Sequence, residues 1–149
     1  MSRLSTSAII DAPAESIWAL LADFGNVTAW WPTETKLKIE RVECEGEGVG
    51  MVRHIHHVGL PGCISERLDF LDPATMTLML SIVGDRPGGM TAYVATGTIV
   101  ALDPQRCRMD YCANVTTGPG KEKRVDKMLR ATWTTMFEGL GSAASRHGV

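Results

Sequence analysis

From Thr35 to Val115 the chain alternates apolar and polar residues and breaks at short intervals on turns rich in Gly and Pro. Side chains on a strand point alternately to its two faces, so this pattern describes half-buried strands joined by tight connections. "KLKIERVEC" comes first and "EGEGVG" turns it. "MVRHIHHV" and "CISERLDFL" flank Gly59-Leu60-Pro61-Gly62, and Asp72-Pro73-Ala74 leads into "TMTLMLSIV". "GDRPGG" (Gly84–Gly89) forms a second Gly/Pro loop. "MTAYVATGTIVAL" and "RCRMDYCANV" then flank Asp103-Pro104-Gln105, a turn with Pro at its favoured position. Six strands in a row, each a short step from the last, make one antiparallel sheet. Val125, Met128, Leu129, Thr132, Trp133, Met136, Phe137 and Leu140 follow at helical spacing. A helix of about 22 residues spans ~33 Å. The sheet's apolar face and the helix's apolar stripe must bury against each other.

The N-terminal part completes the pattern. "STSAIIDA" (Ser5–Ala12) reads as a seventh strand and "PAESIWALLADF" as a short amphipathic helix carrying Ile17, Trp18, Leu21 and Phe24. Pro13 suits its first turn and Glu15 its positive end. "NVTAWWP" reads as a second short helical piece closed by Pro32. The sum is an α+β domain over residues 1–149: a curved seven-stranded antiparallel sheet around a long C-terminal helix, with two short helices after strand 1. Whether the space between sheet and helix is full or hollow decides the function.

Formal net charge is −2 at pH 7 and the pI about 6.1, without the basic patch that nucleic acid or an anionic membrane requires. "KEKR" (Lys121–Arg124) alternates sign and reads as a solvated helix start. Cys44, Cys63, Cys107 and Cys112 show no CxxC spacing and fit reduced thiols better than a disulfide framework or zinc site. No secretory signal, lipidation motif or membrane-length apolar run is legible, so a cytoplasmic protein is expected. His54 and His56 share a strand face, but no acidic or cysteine ligand stands at obvious spacing beside them, and no metal or cofactor is expected. "GEGVG" lacks the Lys-Ser/Thr pair of a phosphate loop. Cys63 reads as a small hydrophobe rather than a nucleophile.

An inward polar set remains. Glu66 falls on the face of Ile64, Leu68 and Phe70, while Arg53 alternates with Met51 and Ile55 on the preceding strand. Tyr93 and Asp110 lie on the two last strands. A lone buried carboxylate is expensive, but one that faces an arginine across neighbouring strands is tolerable. The set is either a structural ion pair in a packed core or the polar floor of a cavity. Leu78, Leu80, Ile82, Trp133 and Phe137 would wall such a cavity, at the usual volume of about 300–1,000 Å³.

The order of elements and the phrase "DAPAESIWALLADFGNVTAWWP" resemble the START-like superfamily, which includes birch pollen allergen and the bacterial polyketide cyclase/dehydrase-like proteins. The resemblance covers essentially the whole chain and implies the helix-grip fold. The middle, "GLPGCISERLDFLD…LSIVG…MTAYVA", is similar to the plant abscisic acid receptors. There the Gly-Leu-Pro hairpin is a gate over the ligand and the loop matching "GDRPGG" a latch. The resemblance implies ligand-facing roles for Glu66 and Tyr93, joined by Arg53 and Asp110, and for Leu129, Trp133 and Phe137 on the last helix. Trp31 stands where those receptors carry the base that anchors a ligand carboxylate.

The expected site is therefore Trp31, Arg53, Ile55, His57, Leu60, Pro61, Glu66, Leu68, Leu80, Ile82, Tyr93, Asp110, Leu129, Trp133 and Phe137. The expected ligand is a small hydrophobic molecule, aromatic or polyketide-like, and a homodimer is admissible. The alternatives are a cyclase/dehydratase-type enzyme, with Glu66 or Asp110 as base and Tyr93 or a histidine as acid, and a module that docks a protein on its gate face.

Overall fold

The computed structural model describes residues 2–147. Its strands are β1 (Ser2–Ile10), β2 (Ile39–Glu45), β3 (Val52–His57), β4 (Ile64–Asp72), β5 (Thr77–Val83), β6 (Met90–Asp103) and β7 (Arg106–Thr117). The helices are α1 (Ala14–Ala22) and α2 (Glu122–His147), with single 3₁₀ turns at Val27–Ala29 and Pro87–Gly89. All seven strands form one antiparallel sheet in the order β1-β7-β6-β5-β4-β3-β2. This is the α+β helix-grip fold. Each strand from β2 to β7 pairs with its chain neighbour, as tight turns require, and β1 docks on β7. Register shifts in β2, β4 and β6 are the bulges at which strands bend and twist.

Several boundaries moved. β1 starts at Ser2 rather than Ser5 and ends at Ile10. Pro13 caps α1 instead of sitting inside it: its ψ is 143°, and its carbonyl accepts from the Ser16 and Ile17 amides. "NVTAWWP" closes only one 3₁₀ turn, and β2 begins at Ile39 rather than at the lysines before it. α2 has 26 residues, about 39 Å.

α2 lies on the inner sheet face. Val125, Leu129, Trp133, Met136, Leu140, Ala143 and Ala144 are buried there. Near its C-terminal end the backbone passes close to the segment after α1. A Cβ on Gly139 would stand 2.3 Å from the Trp30 carbonyl oxygen and 2.8 Å from Pro32 Cδ. Only glycine permits this crossing. Near the other end Met128 lies against the 84–89 loop, its sulfur 2.8 Å from where a Gly88 Cβ would be.

Candidate functional site

Between α2 and the sheet lies a cavity of about 260 Å³, just below the expected range. Its walls are almost wholly apolar. Leu78, Leu80 and Ile82 of β5 supply one side, Leu129, Trp133 and Met136 of α2 another, and Phe24, Val27 and Trp30 close the end behind α1. Four methionines, Met90, Met109, Met128 and Met136, contribute to the lining. Leu60 of the Gly59–Gly62 turn reaches the mouth while remaining 54 % exposed. Pro87 of the second loop lies opposite in the lining set.

The polar floor follows from strand register. Arg53 of β3 stands directly opposite Glu66 of β4. Arg53 Nε and Nη2 each approach Glu66 Oε1 to 2.8 Å, and Nη1 donates to the Phe24 carbonyl at 2.8 Å. The guanidinium also lies 3.8 Å from the centre of the Phe24 ring, a cation–π contact. Every nitrogen of this buried cation is thereby engaged. Glu66 Oε2 receives no hydrogen bond from the described residues. No buried polar side-chain atom among them lacks a partner, so this oxygen is not sealed off, and Glu66 lines the cavity.

Two phenols line the same cavity. Tyr93 on β6 and Tyr111 on β7 approach with their oxygens 3.1 Å apart, and Trp133 Nε1 donates to the Tyr93 oxygen at 3.2 Å. Trp133 also packs edge-on against Tyr111, ring centres 5.3 Å apart. Burial pushes the Tyr93 pKa up to about 12, with the Glu66 charge adding to the rise. Burial, reinforced by Tyr93, drives Tyr111 well above its ordinary value. Both are hydroxyls, not phenolates, at neutral pH.

At the mouth, the Leu37 carbonyl accepts from Trp31 Nε1 at 2.8 Å and from His57 Nδ1 at 3.2 Å. This fixes the proton of His57 on Nδ1 and pins the irregular stretch before β2. The indole N–H of Trp31 is spent on the backbone, and its ring joins the cavity wall.

The cavity thus takes in Trp31, Arg53, Ile55, His57, Leu60, Glu66, Leu80, Ile82, Tyr93, Leu129 and Trp133. Four expected residues lie elsewhere. Asp110 is on the opposite sheet face, held by Arg108 through Nε at 2.8 Å and Nη2 at 3.1 Å. On β7 the inward residues are Met109, Tyr111, Ala113 and Val115, so Asp110 is out of phase by one. Phe137 lies away from the cavity, in a shallow groove with Ile9, Ile10 and Gly141, and Met136 holds the inward position. Leu68 is sealed in packed core, 1 % exposed, and Pro61 is exposed at the turn. Tyr111 and Met109 were missed, although the alternation Met109-Tyr111-Ala113-Val115 carries the signal for both.

His54 and His56 face outward. His54 Nδ1 lies 2.6 Å from Ser65 Oγ and its Nε2 3.1 Å from Glu45, while His56 Nε2 lies 2.7 Å from Glu43. The acids missing from the linear spacing come from β2. Among the described residues no three His, Cys, Asp or Glu side chains are placed to share a metal. No helix there is long and apolar enough to cross a membrane.

A seven-stranded sheet gripping one long helix around an internal cavity defines the helix-grip class. Residues 1–144 match the family model described as "Polyketide cyclase / dehydrase and lipid transport", and the chain belongs to that family. Among solved structures, norcoclaurine synthase from Thalictrum flavum, in complex with dopamine and hydroxybenzaldehyde, is 17% identical, covers 99% of this chain and 88% of its own, and gives a TM-score of 0.79. An uncharacterised protein from Bacillus thuringiensis is 19% identical over 96% of this chain and 98% of its own, with a TM-score of 0.80. One from Thermobifida fusca is 24% identical over 99% and 94%, with a TM-score of 0.78. At these identities the likeness is one of fold. The match is to this family as a whole and does not single out the plant-receptor branch expected from the middle of the chain.

Proposed function

We propose that the protein binds a small, uncharged, largely apolar molecule in the cavity, with the Gly59–Gly62 turn acting as its gate. The observation that carries this reading is an apolar hollow with a polar floor whose one buried cation is already neutralised. A packed core would hold no such space, and a site for an apolar carboxylate would keep a free cation. Gly59 and Gly62 both adopt positive φ, 79° and 71°, so the apolar tip between them is carried on residues that other side chains would strain. The neutral probe N-phenyl-1-naphthylamine should brighten on binding, and Leu129→Trp, which fills the cavity, should abolish the rise. Bound probe should also slow hydrogen exchange in the 59–62 turn. Undiminished brightening in the filled variant would refute the internal site, and unchanged exchange would refute the gate.

A second reading has its own support. Glu66 Oε2, free of partners among the described residues, shares the cavity with two protonated phenols, a base and acids of the kind that proton transfer requires. The family description names cyclases and dehydrases, and norcoclaurine synthase, similar in fold, holds two small aromatic molecules. In this reading Glu66 takes a proton from the bound molecule and Tyr93 or Tyr111 supplies one, with Asp110 excluded by its position. Chemical change in a bound hydroxyaromatic or polyketide-like compound, lost in Glu66→Gln, would establish it.

A further inference from the structure

A count of hydrogens at the cavity floor specifies the ligand's polar group. Tyr93 and Tyr111 carry two hydroxyl hydrogens between them. One is used in the bond that joins the two oxygens, whichever donates. Trp133 brings its own hydrogen to the Tyr93 oxygen, so it consumes none. One O–H is left over in either arrangement, and burial keeps it from ionising. In the same cavity, Glu66 Oε2 is an acceptor without a donor among the described residues. The spare hydrogen and this oxygen are not bonded to each other: among the described residues no hydrogen bond joins either tyrosine to Glu66. Glu66 and both phenols line one cavity. Its floor is an unpaired donor and an unpaired acceptor.

Resting on the binding reading above, we infer that the ligand carries a hydroxyl that joins the two, accepting from the tyrosine pair and donating to Glu66. A hydroxyl is the smallest group that does both. A carbonyl or ether oxygen satisfies only the tyrosine. A carboxylate accepts twice, leaves Glu66 without a donor and meets its charge head-on. The volume adds a bound on the rest of the molecule. About 260 Å³ equals roughly nine water volumes at ~30 Å³ each, enough for one or two fused rings and too little for a diacyl lipid. The class is thus a compact phenol or cyclic alcohol.

The test uses the unmodified protein and three ligands of one shape: 2-naphthol, 2-methoxynaphthalene and 2-naphthoate, titrated by calorimetry or by quenching of tryptophan fluorescence. Naphthol should bind tightest. The ether should be weaker by roughly ten- to a hundredfold, the worth of a hydrogen bond to a charged group, and the acid weaker again. Either single change, Tyr93→Phe or Tyr111→Phe, leaves one free O–H and should keep the preference for naphthol over the unfunctionalised ring, naphthalene, whereas the double variant removes the donor and should narrow it. Equal affinity of naphthol and its methyl ether would overturn the hydroxyl inference while leaving the cavity a binding site. No binding of any of the four compounds, with N-phenyl-1-naphthylamine also dark, would remove the binding reading itself and this inference with it.

Discussion

Changing Glu66 to glutamine keeps the size of the side chain and removes its charge. The guanidinium of Arg53 would then keep only the Phe24 carbonyl, the Phe24 ring and a neutral amide. The side chains of Arg53 and Glu66 are 9% and 16% exposed, so the stranded cation would sit in a poorly screened place. Breaking a buried pair from one side costs about 3–5 kcal/mol. The cavity lets water approach Glu66, which places Glu66→Gln near ~3 kcal/mol. At roughly 2–4 °C per kcal/mol for a chain of this size, the melting temperature should fall by about 6–12 °C. Arg53→Met strands the carboxylate instead and should cost a similar amount. The double variant buries no charge at all, and its loss should fall short of the summed singles by ~2 kcal/mol or more. Urea unfolding of the four proteins measures this directly. A coupling below ~0.5 kcal/mol, the scatter expected of independent sites, would refute the pairing and with it the account of the neutralised floor.

The alkaline limb of stability should report the tyrosine pair. The unfolded phenols ionise near pH 10 and folded Tyr93 near about 12, so above pH 10 the unfolded state releases protons that the folded state keeps, and stability falls as pH rises. The loss should be about 1.4 kcal/mol per pH unit for Tyr93 between those values, with Tyr111 acting in the same direction. The chain has only these two tyrosines, so phenolate absorbance should stay silent until the protein unfolds; ionisation at pH 10 with the fold intact would contradict their burial. Gly139→Ala gains up to ~1 kcal/mol of helix propensity but forces a Cβ onto a backbone oxygen. Overpacking of about 1–3 kcal/mol should win, and a raised denaturation midpoint would show that α2 does not pass this close. Trp31→Lys puts a cation at the cavity wall, so 2-naphthoate should gain about tenfold or more relative to its methyl ester; an unchanged ratio would place Trp31 away from the bound molecule.

The strand pattern was legible because tight turns leave little choice of partner, and the sheet order follows from them. The facing of Arg53 and Glu66 was legible because alternation fixes which side chains point inward. The errors at Asp110 and Phe137 are both errors of one residue. On a strand, one residue flips the side chain to the other face. On a helix, one residue turns it by ~100°, enough to carry Phe137 off the cavity and bring Met136 onto it. Asp110 was grouped with the inward polar set and Phe137 with Trp133 on one helix face without the phase of their own neighbours, and the buried run Met109-Tyr111-Ala113-Val115 contradicts the placement of Asp110. The bond from Trp31 to Leu37 joins an indole to a backbone carbonyl in an irregular stretch, and no periodic pattern encodes it.

The methionines of the wall divide the cavity into a hard end and a soft one. At the floor, Arg53 holds Glu66, and Tyr93 is held by Tyr111 and Trp133, all through directional bonds. Beside the 84–89 loop the lining is Met90 and Met128, unbranched side chains that change rotamer readily and reshape around what they touch. A site built this way is strict about the first few atoms of its guest and permissive about the remainder. Its natural repertoire would be a set of congeners that share a polar head and differ in the tail, and chemical variation at the tail would cost the protein little beyond a repacked thioether.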